Sequence, residues 1–281
     1  MSKMDTKLEQ LDQLLKSFNK VVVAFSGGVD SSFLAAAAKY SLGDKAIAVT
    51  ATSDSFTAGE LQECIELTKL IGIEHVILST HEFDNPEFIN NTPQRCYFCK
   101  KERFTSLEKW AAANGFEYII EGSNADDMDD YRPGMQAIAE IDVVRSPLLE
   151  VGLTKSEIRI LAQKWEIPTW NKPSAACMVS RLEYGQLITK EKLWQVEQAE
   201  KIIKQLCSRQ VRVRHHGKLA RIEVPAENIQ DLTTGPNLAM INESFKKIGF
   251  TFVTLDLSGY RTGSMNETLG EEQKYGYGQP T

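Results

Sequence analysis

Seven residues, Ser-Gly-Gly-Val-Asp-Ser-Ser at 26–32, combine three hydroxyls and two glycines between an apolar run, KVVVAF (20–25), and a small-residue run, FLAAAAKY. Gly27 and Gly28 let the backbone approach a ligand closely. Ser26, Ser31 and Ser32 supply hydroxyls, and a helix starting here adds unpaired N–H groups and the positive end of its dipole. The segment is therefore an anion cradle, with Asp30 either part of it or a helix-capping residue. It lacks the lysine of the GxxxxGK[ST] loop and the GxGxxG spacing of dinucleotide folds. Cys96 and Cys99 stand in PQRCYFCKK, and Cys177 stands in SAACMVSR. A CxxC pair is open to zinc, thioredoxin-like redox chemistry, an iron–sulfur cluster or two independent thiols. Cys64 and Cys207 fall in helical patterns and read as buried hydrophobes. In QVRVRHH (210–216) the period of two sets Arg212, Arg214 and His216 on one face and Val211 and Val213 on the other. With the valines on the core, a row of positive charge is expected to be exposed. It would bind an anion, or else pair with Arg221 and Glu223 of the next strand.

The elements that must carry these residues follow from period. KVVVAF (20–25), AIAVTA (46–51), HVILST (75–80), EYIIEG (117–122) and DVVRSP (142–147) read as strands, and helical stretches lie at about 30–42, 57–72, 99–114 and 154–166. Nearly continuous apolar strands alternating with helices predict a doubly wound α/β domain with a parallel sheet. A strand order of the 3-2-1-4-5 kind places GSNADDMDDYRPG (122–134) opposite the glycine-serine loop. Asp126, Asp127, Asp129 and Asp130 are then either Mg²⁺ ligands on bound phosphates or an acidic solvated turn. PTWNKPSAACMVSRLEYG breaks the periodicity and reads as a connection. A helix (about 189–207), two strands (210–216 and 219–225), a helical pair (about 226–248) and a strand (250–257) follow as a small α+β module. The expected organisation is residues 1–170, a cysteine-bearing connection 171–189, an α+β domain 190–260 and a partly mobile tail 261–281.

Composition limits the classes. The chain has 281 residues, 42% hydrophobic and 25% charged, near the averages for soluble globular proteins. No apolar run approaches the ~18 residues that span a bilayer, and the N-terminal run has no secretory signal pattern. A cytoplasmic location is expected, where five cysteines favour metal ligation, catalysis or burial over disulfides. The net charge of -6 argues against nucleic acid as a partner. Residues 1–184 hold 19 Lys+Arg against 27 Asp+Glu, whereas 185–281 hold 13 against 11, so the acidity belongs to the first part.

The loop SGGVDSS resembles that of the PP-loop ATP pyrophosphatases, which split ATP between the α and β phosphates. Together with NADDMDDYRPG, WNKPSAACMVSR, VRVRHH, ARIEVP and TLDLSGYRTGSMN it resembles the LarE family along nearly the whole chain. That resemblance implies an ATP-dependent sulfurtransferase that adenylylates carboxylates of pyridinium-3,5-biscarboxylic acid mononucleotide and replaces oxygen with sulfur, a step in making the nickel-pincer cofactor. It implies ATP and Mg²⁺ at Ser26, Gly27, Gly28, Asp30, Ser31, Ser32 and Asp127. Arg212 and Arg214 would contact the substrate phosphate, Ser180 and Arg181 would be further substrate contacts beside Cys177, and the end of the second strand, Thr50 to Ser53, would carry the adenosine side. Glu200, Glu223 and Asp231 match acidic positions for a divalent metal. One branch of the family gives up the sulfur of a single cysteine in the connection. The three cysteines Cys96, Cys99 and Cys177 resemble the other branch, with a 4Fe–4S cluster that takes sulfur from an exogenous sulfide donor. The resemblance also implies a homo-oligomer, with a hexamer as the candidate size.

Overall fold

The computed structural model describes residues 3–129, 133–173, 176–207, 210–261 and 263–268, with the backbone alone at 128, 129, 133 and 268. Asp130 and most of the tail expected to be mobile lie outside the described residues, as does the side chain of Asp129. The chain divides into two units, Met1–Asp84 with Cys96–Ala175, and Asn85–Arg95 with Ala176–Thr281.

In the first unit, strands β1 (Val21–Ala24), β2 (Ala46–Thr52), β3 (Glu74–Ser79), β4 (Tyr118–Ile120) and β5 (Val144–Arg145) form one sheet in the order β3-β2-β1-β4-β5. Every pairing is parallel, as the alternation of strands and helices predicts. The period of two divides β1 between two cores. Val21 and Val23 pack with Leu11 and Leu15 of α1 (Lys3–Ser17), Phe33 and Leu34 of α2 (Val29–Leu42), Leu67 of α3 (Ala58–Ile71) and Ile158 and Leu161 of α8 (Lys155–Lys164). Val22 turns to the opposite face, onto Phe104, Leu107 and Ala111 of α5 (Arg95–Ala113) and Ile138 of α6 (Pro133–Ala139). Burial on both faces is why these strands read as unbroken apolar runs. Two helices start with a reciprocal capping box, Thr57 with Glu60 on α3 and Thr154 with Glu157 on α8. A one-turn helix, α7 (Pro147–Glu150), follows β5.

In the second unit, β6 (Arg212–His216) pairs antiparallel with β7 (Leu219–Glu223), and β7 pairs parallel with β8 (Phe252–Leu255). Val211, Val213, Ala220 and Ile222 pack on Ala199 and Ile203 of α9 (Lys190–Lys204) and on Ile241 and Phe245 of α11 (Pro236–Ile248). The short α10 (Ile229–Thr233) contributes Leu232 to the same core. Segment 85–95, with the one-turn α4 (Pro86–Ile89), groups with this unit through a set of specific bonds. Ile188 donates its N–H to the Ile89 carbonyl at 2.9 Å, Asn91 Nδ2 donates to the Glu183 carbonyl at 2.8 Å, and the Arg95 guanidinium lies 4.5 Å from the Tyr184 ring centre. Periodicity gives no sign of this crossing. Among the described residues no helix is long and apolar enough to cross a membrane.

Candidate functional site

The loop at the carboxyl end of β1 has the form expected of an anion cradle. Gly27 adopts a left-handed φ of 67°, and a Cβ there would sit 2.9 Å from Cys64 Sγ, so glycine is required twice over. Ser31 Oγ accepts from the Ser26 N–H at 3.3 Å and donates to the Gly28 carbonyl at 3.2 Å, closing the turn onto the first residues of α2. Ser32 Oγ and Asp30 Oδ1 are buried without any hydrogen-bond partner. Orphaned buried polar atoms are costly and mark a site awaiting a ligand, and here they sit at a helix N-terminus. Ser32 Oγ and the helix N–H groups therefore fit a bound phosphate chain, whereas Asp30 Oδ1 is an acceptor and suits a cation accompanying it.

The segment after β4 lies beside this loop. A Cβ on Gly122 would come within 3.1 Å of the Ser31 nitrogen. Burial pushes the Asp30 carboxyl up from its ordinary range and the charge of Asp127 adds to that, while an ion pair with Lys155 opposes both. Asp127 is buried and accepts from the Asn124 N–H at 3.0 Å, and Asp126 accepts from the Lys155 N–H at 3.0 Å. Asp127 is thus placed by the loop, whereas Asp126 is exposed and caps the start of α8.

Four charged groups at this end of the sheet escaped sequence reasoning. Lys155 pairs with Asp30, and Lys172 donates to the Gly27 carbonyl at 3.0 Å and to Glu63 at 2.7 Å. Each comes from a segment more than a hundred residues from the loop, and although Lys172 stands in the WNKPSAACMVSR run, no spacing ties either lysine to the loop. Beyond β3, Glu82 is fully buried and accepts from Ser53 Oγ at 2.6 Å, Thr80 Oγ1 at 2.7 Å and Arg103 Nη2 at 2.7 Å. Burial works to raise the Glu82 carboxyl, but Arg103 and the hydroxyls outweigh it and hold it below the usual range. This network fixes the end of the second strand, where Ser53 stands, and meets α5, with Cys99 Sγ 4.0 Å from Glu82 Oε1. Thr50 is engaged separately, 2.8 Å from His75 Nε2.

Cys96 is exposed and Cys99 half-buried, both among the first five residues of α5, and Cys177 is exposed in the second unit. None of the five cysteines is in a disulfide, and Cys64 is buried, its thiol pushed up by desolvation to about 11. Cys207, at the end of α9, is half-buried, with its Sγ 3.5 Å from the Ile203 carbonyl oxygen. Among the described residues no three His, Cys, Asp or Glu side chains gather in a way that would hold a metal ion. Thiolates are the donors an iron–sulfur cluster takes, and Cys96, Cys99 and Cys177 are of that type, outside any disulfide.

The second unit gathers most of its candidate residues around β6. Arg214 donates from Nε and Nη2 to Glu223 Oε2, at 3.0 and 2.7 Å, and from Nη1 to the Ser180 carbonyl at 3.3 Å. Ser264 Oγ links the same pair, accepting from Arg214 Nη2 and donating to Glu223 Oε1. Arg181 forms a two-bond pair with Glu200, and Arg212 lies with its guanidinium 5.4 Å from the Tyr260 ring centre. Burial, and next the like charge of Arg181, push the Arg212 guanidinium below its ordinary range. The expected exposure of the arginine row is corrected here. Arg212 and Arg214 are 6% and 5% exposed, because carboxylates, Tyr260 and Ser264 cover the face opposite the valines. The register sets Arg214 opposite Arg221, and Arg214 reaches Glu223 diagonally. Glu200 and Glu223 are occupied by arginines, while Asp231 is exposed on α10 and accepts from Asn228. These three acidic residues are not brought together.

Comparison with known proteins separates the readings that the geometry leaves open. Residues 4–104 match the NAD synthase family. The chain is 42% identical over 266 residues to an uncharacterized protein of Synechocystis, covering 95% of this chain and 99% of that protein. It is 36% identical over 274 residues to the pyridinium-3,5-bisthiocarboxylic acid mononucleotide synthase of Lactiplantibacillus plantarum, covering 97% of this chain and 98% of that one. A GMP synthase of Aeropyrum pernix is 26% identical over 219 residues, 43% of its length. The synthase match takes in both units, the glycine-serine loop as well as the arginines of β6, and the chain belongs to the LarE family of PP-loop ATP-dependent sulfurtransferases.

Proposed function

We propose that the protein uses ATP to activate a carboxylate of pyridinium-3,5-biscarboxylic acid mononucleotide and replaces a carboxylate oxygen with sulfur, in nickel-pincer cofactor biosynthesis. The observation that carries the reading is the loop of Ser26–Ser32, with its unpartnered Ser32 Oγ and Asp30 Oδ1, in a chain aligned end to end with a synthase of this product class.

In the first step a substrate carboxylate oxygen attacks the α-phosphorus, forming an acyl adenylate as the bond to pyrophosphate breaks. Ser32 Oγ and the first N–H groups of α2 donate to the departing phosphates, stabilising charge where it accumulates. Asp127 is the candidate Mg²⁺ ligand, a hard oxygen donor beside the loop. In the second step sulfide attacks the carbonyl carbon, the carbon–oxygen bond to AMP breaks, and the displaced oxygen leaves on AMP. By the family resemblance alone, Cys96, Cys99 and Cys177 would be the thiolate ligands of a 4Fe–4S cluster, which would supply a position open to sulfide. Arg212 and Arg214, with Ser180, are the proposed contacts for the substrate's phosphate. The like charges of Arg181 and Arg214 bear on Arg212, and a bound phosphate would offset them.

The test is anaerobic turnover followed by mass spectrometry of both product and protein. The reading expects thiocarboxylate product over several turnovers with the mass of Cys177 unchanged. Loss of sulfur from Cys177 after a single turnover assigns the sulfur to that residue instead and removes the cluster route. Thiolation of tRNA in place of the pyridinium substrate overturns the function itself.

A further inference from the structure

Arg181 stands four residues after Cys177, at the end of a short 3-10 turn (Met178–Arg181), and its guanidinium is spent on the protein. Nε donates to Glu200 Oε1 at 2.8 Å and Nη2 to Glu200 Oε2 at 3.3 Å. Nη1 donates to the carbonyl oxygens of Ala176 at 2.6 Å and Cys177 at 3.0 Å, and to Ser180 Oγ at 3.2 Å. The side chain is 5% exposed, and that of Glu200 is 3% exposed. Glu200 is itself fixed, because Oε1 also accepts from the Val213 N–H of β6 at 3.2 Å and Oε2 lies 3.6 Å from Lys204 Nζ. Burial works to raise the Glu200 carboxyl, but Arg181 outweighs it. A chain of contacts therefore runs from β6 through Glu200 and Arg181 to the backbone of Cys177. The thiol stays exposed while the carbonyls on either side of its Cα are held.

We propose that Arg181 and Glu200 are positioning residues that clamp the Cys177 backbone for sulfur transfer, and do not bind the substrate phosphate or a divalent metal. The proposal rests on the function proposed above. A planar guanidinium is the side chain the role requires, since its fork meets a carboxylate on one edge and turns its remaining donors to carbonyls on the other. Lysine offers the charge without the fork. The two oxygens of Glu200 already accept from Arg181, Val213 and Lys204, which leaves little capacity for a metal.

The test compares Arg181→Lys and Glu200→Gln with the wild type, using the full chain as purified anaerobically. Both substitutions keep a polar partner for the buried group. The readouts are amide hydrogen exchange over 176–182 and steady-state thiolation of the pyridinium mononucleotide. Exchange in this segment is expected to quicken by about tenfold or more in both variants. The kcat for thiolation should fall by about tenfold or more, as expected when a reacting group is misplaced, with KM for the mononucleotide within about twofold of wild type. A rise of tenfold in that KM with unchanged exchange makes Arg181 a substrate ligand and overturns the clamp. Loss of divalent-metal dependence in Glu200→Gln with unchanged exchange overturns it in favour of a metal ligand. Faster exchange with unaltered kcat reduces the pair to a stability element and also overturns the proposal. A wild type that never turns over the mononucleotide refutes the function proposed above and the clamp's role in sulfur transfer with it, whereas wild-type turnover with unchanged exchange in both variants overturns the clamp alone.

Discussion

The glycine-serine loop of the first unit and the arginine-rich face of β6 in the second solve opposite electrostatic problems. The loop is short of partners. Ser32 Oγ and Asp30 Oδ1 are buried and unmatched, and the nearby backbone N–H groups of α2 have no acceptor within the helix. The arginine face pairs its carboxylates closely, with Glu223 alone held by Arg214, Arg221 and Ser264, although Arg221 Nε has no hydrogen-bond partner. A binding loop gains affinity by leaving polar atoms unspent until the ligand arrives, at some expense of stability. A buried ion network must instead be satisfied in the resting protein, because an unpaired interior charge is costly. The same substitution logic should therefore give inverse results in the two places.

The largest expected effect tests the second half of that contrast. Glu223→Ala leaves two arginines without their buried carboxylate and should lower stability by about 3–5 kcal/mol in a urea melt. A loss below about 1 kcal/mol, the scale of an exposed pair, would show that the network is wet and the contrast false. Ser32→Ala tests the first half and should do the reverse. It is expected to cost roughly a hundredfold in kcat/KM for ATP, as removal of a donor to developing charge does, with stability unchanged or raised. An equal drop in stability and activity would instead give the hydroxyl a structural partner.

A smaller, pH-dependent effect separates the neutral from the charged polar groups of the second unit. His215 is buried between the side chains of Gln186 and Gln195, at 3.2 and 3.0 Å, and desolvation lowers it from 6.5 to about 4. Between those values the unfolded chain binds the proton that the folded one refuses. Stability should therefore fall as the pH drops from about 6.5 toward 4, and be fully regained above that window. His215→Gln should flatten this part of the pH–stability curve. A slope identical to wild type would assign the acid sensitivity to other groups.

Legibility in the sequence follows the same division. The parallel sheet and its order could be read because strands such as VVVA, buried on both faces, leave a plain apolar signature. The loop could be read because glycine and serine at fixed positions reflect a backbone requirement, seen at Gly27 as a positive φ and the close approach of Cys64. The face of β6 could not be read in the same way. Alternation of valine and arginine implies one dry and one wet face, but the second is dried by Glu200, Glu223, Tyr260 and Ser264, which come from separate parts of the chain. Lys155, Lys172, Glu82 and Arg103 were invisible for a related reason. Isolated charges carry no period, and only folding brings Lys155 to Asp30 or Arg103 to Glu82. The family resemblance supplied roles for Arg181 and Glu200, and their geometry points to a different one.

The central claim, that the loop activates a pyridinium carboxylate with ATP, is tested most directly by following pyrophosphate and AMP release from wild type and Ser32→Ala, with and without the pyridinium mononucleotide. The account predicts release of both by the wild type, dependent on the mononucleotide, and its near loss in the variant. Release of ADP and phosphate, or of AMP at the same rate without the mononucleotide, would contradict it.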